Sequence, residues 1–103
     1  MDGKYAIVLK SQLGPKKGFI TIQVMGDDVE GILECLGNEH SFRGKVVSYD
    51  KMRLEGILNT LLGEVPFSLA GIVEENILTA TFMVRAQKYD LMGIKLDDQE
   101  GMK

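Results

Sequence analysis

Glycine recurs in the middle of short apolar runs that alternate in the manner of β-strands. The clearest cases are "VEGIL" at Val29–Leu33 and "LEGIL" at Leu54–Leu58, with looser echoes that begin at Phe42, Leu69 and Leu91. A glycine weakens a strand interior, but it also marks sharp bends in barrel strands and places where another backbone comes close. The repeated glycine therefore favours strands that bend or pack closely at these points.

Alternation with a period of two dominates the chain, as in Phe19–Val24, and no segment of ten or more residues has helical spacing with caps. Turn-forming residues separate the runs at short intervals. This pattern predicts eight strands, at about residues 4–10, 18–25, 28–36, 40–48, 52–61, 65–74, 77–84 and 89–96. The predicted fold class is all-β: an eight-stranded antiparallel up-and-down meander that closes into a small barrel. A flattened β-sandwich is the alternative, because both folds share this alternation.

Two-residue turns, the commonest hairpin connections, also predict a register. The predicted turns are Gly26-Asp27, Gly37-Asn38, Tyr49-Asp50-Lys51, Gly63-Glu64, Glu75-Asn76 and Ala86-Gln87. With these turns one row of small residues crosses the strands, made up of Gly31, Gly44, Gly56, Gly71, Ala80 and Gly93. The neighbours two residues before and after each are almost all apolar, so the row is predicted to face inward at the waist of the barrel. A barrel of this size is either filled by side chains or holds one small ligand.

Length and charge restrict the class of protein. The 103 residues predict a single domain over 1–103, with a polar, frayed tail at 97–103. The net charge is −3, and Lys16-Lys17 is the only adjacent pair of bases, which argues against a nucleic-acid partner. No apolar run has the length of a membrane span, and the N-terminus lacks the pattern of a secretory signal. Cys35 is the only cysteine, so we expect a cytoplasmic protein without disulfides.

Several turns and glycines resemble those of small uncharacterised bacterial β-barrel domains. The segment "DGKYAIVLKSQLGPKKGFITIQVMGDDVEG" contains an opening glycine and aromatic, a turn at Gly14-Pro15 and a turn at Gly26-Asp27 before a strand with a central glycine. Further along, Pro66-Phe67 begins a strand and Gly93 lies in the last one. The resemblance covers nearly the whole chain and implies a calycin-like barrel.

The chain departs from this group at two places. The first aromatic is commonly Trp in the group, but it is Tyr5 here, and the usual closing Gly-x-Arg is replaced by Gly93-Ile94-Lys95. The resemblance brings no catalytic residue with it, so its implication is limited to architecture.

The residues do not predict an enzyme. Cys35 and His40 lie close across a predicted turn, but no third group is evident to orient them as a nucleophile and base. One histidine, one cysteine and nearby glutamates do not form a closed tetrahedral metal site. Glu34 and Arg43 are predicted to be neighbours on the outer face, where a solvated ion pair is the simpler interpretation. We therefore predict no catalytic residue, no metal and no cofactor.

The favoured hypothesis is a structural or interaction module that forms a homo-oligomer or binds another protein. Large apolar residues occur at outward positions, and a contiguous patch of such residues marks an interface. The predicted interface residues are Ile32, Ile57, Ile72, Met92 and Ile94.

The second hypothesis is a binding protein for a small apolar or amphipathic ligand. The small row would leave room in the barrel, and polar groups near the strand ends would orient the ligand. The predicted lining residues are Tyr5, Ser48, Thr60 and Tyr89.

Overall fold

The computed structural model describes residues 2–11, 14–35, 37–61 and 63–96, which form eight antiparallel strands. The strands are β1 (Gly3–Ser11), β2 (Gly14–Met25), β3 (Asp28–Cys35), β4 (Asn38–Ser48), β5 (Lys51–Thr60), β6 (Gly63–Glu74), β7 (Ile77–Val84) and β8 (Gln87–Lys95). Within the described ranges, no helix is long and apolar enough to cross a membrane. The tail predicted at 97–103 lies outside the described residues.

The eight strands follow one another around a closed barrel, so the predicted fold class is confirmed. Closure depends on β1, which pairs with β2 on one side and with β8 on the other, where Ile7 lies opposite Gly93. A flattened sandwich would leave β1 and β8 as edges. Each strand instead has two neighbours, which removes the unpaired edges that promote aggregation in open sheets.

The two faces of the strands separate as the alternation predicts. Inward side chains form one buried apolar core, with Leu54, Leu69 and Leu78 almost inaccessible to solvent. Many of the alternate positions on the same strands are charged and exposed, as Glu55 and Arg53 are on β5, but several large apolar side chains also face outward. Burial of the inward row from every strand is the main force that holds the barrel closed.

The predicted single row of glycines is wrong. Two pairs are confirmed, Ile22 opposite Gly31 and Gly71 opposite Ala80. Elsewhere the partners shift along the strands, so that Phe42 lies between Gly31 and Gly56. The strands of a closed barrel must tilt and stagger, and this stagger spreads the glycines over several heights.

The observed register places large side chains beside the glycines. Gly31 is opposite Phe42, and Gly56 is opposite Phe67. A methyl group added to Gly31 would stand 2.7 Å from the tip of the Phe42 ring, and one added to Gly56 would stand 2.7 Å from the edge of the Phe67 ring. Each ring therefore occupies the space above a glycine on the neighbouring strand, which is how aromatic residues commonly compensate for strand glycines.

The turns explain the shift in register. The turns at Gly26-Asp27 and Glu75-Asn76 lie where predicted, because Met25 pairs with Asp28 and Glu74 pairs with Ile77. The last turn is Arg85-Ala86 rather than Ala86-Gln87, since Val84 pairs with Gln87.

The remaining turns also differ from the prediction. Thr60 pairs with Gly63, Cys35 with Asn38, and Ser48 with Lys51. The turn between β3 and β4 moves by one position and shifts the pairing by two, whereas the turn between β5 and β6 moves by two positions, so that Leu58 lies opposite Val65 instead of Leu69. Between β4 and β5 the shorter turn is accompanied by a bulge between Val46 and Ser48. These even shifts keep the core side chains on their predicted faces, but Ser48, beyond the bulge, is exposed.

Candidate functional site

The barrel interior is filled by large side chains. The members with less than 2 % of their surface exposed come from all parts of the barrel wall: Tyr5, Ile20, Ile22, Val29, Leu33, His40, Met52, Leu54, Leu69, Leu78 and Leu91. The Phe67 and Phe82 rings also meet inside, with centroids 5.1 Å apart. Packing of this kind resembles a protein core more than a ligand cavity.

His40 is a buried polar residue of this core, and both of its ring nitrogens contact the backbone. The amide of Asn59 donates to Nδ1 at 3.0 Å, and Nε2 lies 3.3 Å from the carbonyl oxygen of Cys35. A backbone N–H can only donate, so Nδ1 must be the unprotonated nitrogen and Nε2 carries the hydrogen. His40 is on β4, and its two hydrogen bonds therefore connect the end of β3 on one side with the end of β5 on the other.

This geometry does not form a cysteine–histidine dyad. His40 bonds the backbone of Cys35, and burial raises the pKa of the Cys35 thiol above its usual value of 9.0. A nucleophilic cysteine needs the opposite shift, because the thiolate is the reactive form. Among the residues that the structure describes, no group of three or more His, Cys, Asp or Glu side chains is arranged to hold a metal ion.

The four predicted ligand-lining residues do not share one place. Tyr5 is wholly buried, near the end of the barrel that contains the β2–β3 turn, and Tyr89 is half-buried near the opposite end. Ser48 and Thr60 are exposed beside turns, where Ser48 donates to Asp50 at 3.3 Å and Thr60 donates to the carbonyl of Gly63 at 2.7 Å.

The five predicted interface residues lie on opposite halves of the barrel. Ile72, Met92 and Ile94 belong to β6 and β8, on the half where the barrel closes through β1. Ile32 and Ile57 belong to β3 and β5, on the other half. The register therefore makes two separate surfaces from what the sequence suggested was one.

The first surface is an apolar patch made of two neighbouring rows. In one row Phe19, Ala6, Ile94 and Ile77 follow one another across β2, β1, β8 and β7. In the next row Val8, Met92, Thr79 and Ile72 follow across β1, β8, β7 and β6. These residues are the apolar patch, and no charged side chain interrupts them.

Charged residues surround the apolar patch. Lys17 and Lys51 end the second row, and Glu74 ends the first. The ammonium group of Lys4 lies 4.9 Å from the centre of the Phe19 ring, a cation–π contact at the border of the patch. An apolar centre with a charged rim is the usual composition of a protein interface.

Five of the eight members of the apolar patch were not found from the sequence, and three of these five are large apolar residues: Val8, Phe19 and Ile77. Each is exposed by more than a third of its surface. Their alternation with inward residues was visible, but their proximity depends on the pairing of β1 with β8. Local patterns carry no signal for that long-range pairing.

The second surface is an open depression on the outside of β2 to β6, which we call the outer groove. Ile32, Ser41 and Ile57 lie along its middle, and Gly31 and Gly56 also line it. Its two flanks carry mostly acidic or amide side chains: Glu30, Arg43 and Glu55 on one side, and Glu39, Asn59 and Glu64 on the other.

Comparison with known proteins gives a likeness in fold. No family model matches the chain, and no curated protein matches it either. A redesigned beta barrel, mFAP1, bound to DFHBI, has a TM-score of 0.67 at 10% identity, covering 92% of this chain and 94% of that one. A de novo designed fluorescence-activating beta barrel has a TM-score of 0.66 at 16% identity, covering 93% of this chain and 94% of that one. At these identities the likeness establishes the shared barrel architecture.

Proposed function

We propose that this protein is a non-catalytic interaction module that forms a homodimer through the apolar patch. The observation that supports the proposal is the two adjacent rows of outward side chains without a charge. Ile94, near the centre, exposes 64% of its surface, and Met92 beside it exposes 48%. Monomeric proteins seldom leave a contiguous apolar area of more than a few hundred Å² in water, because its burial is favourable.

A second copy of the chain is the partner that we propose for the apolar patch. The rows span five neighbouring strands, a width of roughly 19 Å at about 4.8 Å per strand. Two sheet faces can pack against each other at a distance of about 10 Å. A two-fold axis would bury the same patch on both copies, and the charged rim would widen the contact towards the roughly 800 Å² per partner of a stable interface.

The oligomeric state tests this proposal directly. Native mass spectrometry and light scattering on the purified protein should give a dimer. Ile94→Lys places a charge in the centre of the apolar patch and should give a monomer. Ile57→Lys makes the same change on the opposite half, at a residue with 43% exposure, and should leave the dimer intact. A wild-type monomer at all concentrations, or a dimer split only by Ile57→Lys, would contradict the proposal.

The second candidate is a binding protein for a small apolar ligand within a calycin-like barrel. The likeness to a redesigned barrel bound to DFHBI favours it. The filled core around Tyr5, Leu54 and Leu69 weighs against it, because a ligand would have to displace buried side chains. Native mass spectra of the protein as purified should show an extra mass lost on denaturation, and added DFHBI should raise fluorescence, if this candidate is right.

Two further expectations belong to the same proposal. We expect a single domain over 1–103 that is located in the cytoplasm. The one cysteine, Cys35, is buried and forms no disulfide, which favours a reducing compartment.

The scattered bases and the net charge of −3 favour a protein partner over a nucleic acid. Cell fractionation of the tagged protein tests the location, and a gel-shift assay tests the partner class.

A further inference from the structure

The outer groove differs from the apolar patch in charge. Four glutamates line it, Glu30, Glu39, Glu55 and Glu64, against one arginine among the described residues. Arg43 lies in register between Glu30 and Glu55, so on that flank two acids surround one base. A cleft lined mainly by one sign of charge attracts and orients a partner of the opposite sign.

The apolar residues of the outer groove form a strip between the two flanks. Ile32 on β3 lies opposite Ser41 on β4. Phe42 lies opposite Gly56 on β5, so Ile57, the residue after Gly56, lies beside Ser41 in the same row. Thr21 continues the strip on β2, where it pairs with Ile32. Ile32 and Ile57 expose 39% and 43% of their surfaces. The strip therefore runs across the strands and offers apolar contact at Ile32 and Ile57, with the uncharged hydroxyl residues Thr21 and Ser41 beside them.

The spacing of the flanks matches the width of a helix. On β4 the flanks are represented by Arg43 and Glu39, four residues apart, and on β5 by Glu55 and Asn59, also four apart. Four residues of a strand span about 13 Å. An α-helix with its side chains is about 10–12 Å across. A helix laid along the strip would thus have carboxylates beside both of its edges.

We infer that the outer groove binds a basic amphipathic helix of a protein partner. The apolar face of such a helix would cover Ile32 and Ile57, and lysine or arginine side chains at its edges would meet the glutamates of the flanks. This is the helix-in-groove mode of recognition, with acidic residues that select a basic partner. The inference does not depend on the homodimer, because none of the residues that line the groove belongs to the apolar patch.

A designed peptide tests the inference. The probe is a fluorescein-labelled 18-residue helix of leucine and lysine, with all leucines on one face, measured by fluorescence anisotropy against the full chain. One control peptide has the same residues in shuffled order, and another has glutamate in place of lysine. NMR amide shifts locate the site. We expect the amphipathic basic peptide to bind, with shifts in β3, β4 and β5.

Charge reversal on the protein gives the matched comparison. Glu39→Lys with Glu55→Lys changes one residue on each flank and should weaken binding about tenfold or more. Asp27→Lys with Glu75→Lys makes the same change in net charge at exposed turn residues outside both the groove and the apolar patch, and should leave the affinity within about twofold. Circular dichroism of each variant checks that the barrel is intact.

Several outcomes would overturn the inference. Equal affinity for the shuffled peptide would mean that charge alone drives the association. Shifts confined to β1, β7 and β8 would place the peptide on the apolar patch. Equal weakening by both double variants would point to the net charge of the molecule. A failed dimer with intact peptide binding would refute the homodimer alone, so the two proposals can be separated.

Discussion

At the scale of single residues, Gly56 shows why glycine persists in "LEGIL". A Cβ atom at this position would overlap the carbonyl oxygen of Ser41 and lie 2.7 Å from the Phe67 ring. Both neighbours are on adjacent strands that pack against the glycine. The absence of a side chain therefore lets β4 approach and lets Phe67 lie over the backbone of β5.

Replacement of Gly56 by alanine should lower the free energy of unfolding by about 2–3 kcal/mol, because the backbone of β4 cannot move away without a loss of pairing. Gly71→Ala is the matched control. The three atoms nearest to its Cβ would all belong to side chains, the first being Cδ1 of Leu78 at 3.1 Å, so a change below about 1 kcal/mol is expected. Urea unfolding followed by far-UV circular dichroism at one protein concentration measures both. Equal losses for the two variants would contradict the role given to Gly56.

Tyr5 and Cys35 should make the protein sensitive to alkaline pH. Burial raises the pKa of both side chains, from ordinary values of 10.0 and 9.0, and the nearby Asp2 carboxylate raises that of Tyr5 further. Above pH 9 the unfolded chain loses these protons while the folded chain keeps them, so unfolding becomes more favourable as pH rises. The stability is fully present below pH 9 and is lost towards the raised pKa values.

Unfolding free energies measured between about pH 8 and pH 10.5 test this, with the fall over that range as the readout. Tyr5→Phe and Cys35→Ala should each reduce the fall, whatever their effect at neutral pH. Tyr49→Phe is the control, because this side chain is 95% exposed. If the wild type and both core variants fall by the same amount, other groups govern the alkaline limit.

At the scale of elements, the turn between β7 and β8 is a weak point of the hairpins. Arg85 and Ala86 both have positive φ, at 51° and 65°. A two-residue turn with this backbone favours Asn-Gly, because other residues resist the left-handed conformation. The two residues are held there by the pairing of Val84 with Gln87.

Arg85→Asn combined with Ala86→Gly should raise the free energy of unfolding by about 1 kcal/mol, since it removes strain at two positions. The same dipeptide at Tyr49-Asp50 is the control, because neither residue there has a positive φ. It should bring no gain. Thermal and urea unfolding measure the free energy of unfolding of both double variants. If that free energy rises for both, the relief of strain at Arg85-Ala86 is not the cause.

The same turns show what the sequence could predict. The inward face was correct at the core positions of the strands, because a period of two assigns faces wherever the strand is recognised, as at Leu54 and Phe67. Ser48 is an exception, because a bulge between Val46 and Ser48 breaks the alternation. The register failed where turn residues were poor signals. Arg85-Ala86 has no typical turn residue, and Leu61, beside the β5–β6 turn, reads as part of a strand. The apolar patch depended on that register and on barrel closure, so only Ile72, Met92 and Ile94 could be predicted.

At the scale of the whole molecule, the barrel presents two different surfaces, centred on opposite sides and meeting at β2 and β6. The apolar patch is centred on the pairing of β1 with β8, and the outer groove lies across β2 to β6. A dimer through the first would leave the second free on the outside of each copy. The seam between β1 and β8 must then be firm, because the proposed dimer interface lies across it.

Hydrogen exchange should show that this seam is as stable as the rest of the barrel. Ile7 and Gly93 pair across it, and Leu96 donates to the carbonyl of Lys4 at 2.8 Å. A closed barrel has no edge strand to fray, so paired amides of β1 and β8 should exchange with nearly the same free energy as those of β4 and β5. Native-state exchange measured by NMR in low concentrations of denaturant gives these values residue by residue. Amides of β1 and β8 that open at a much lower free energy would mean that the seam separates on its own, and the apolar patch would then lack the rigid support that a homodimer needs.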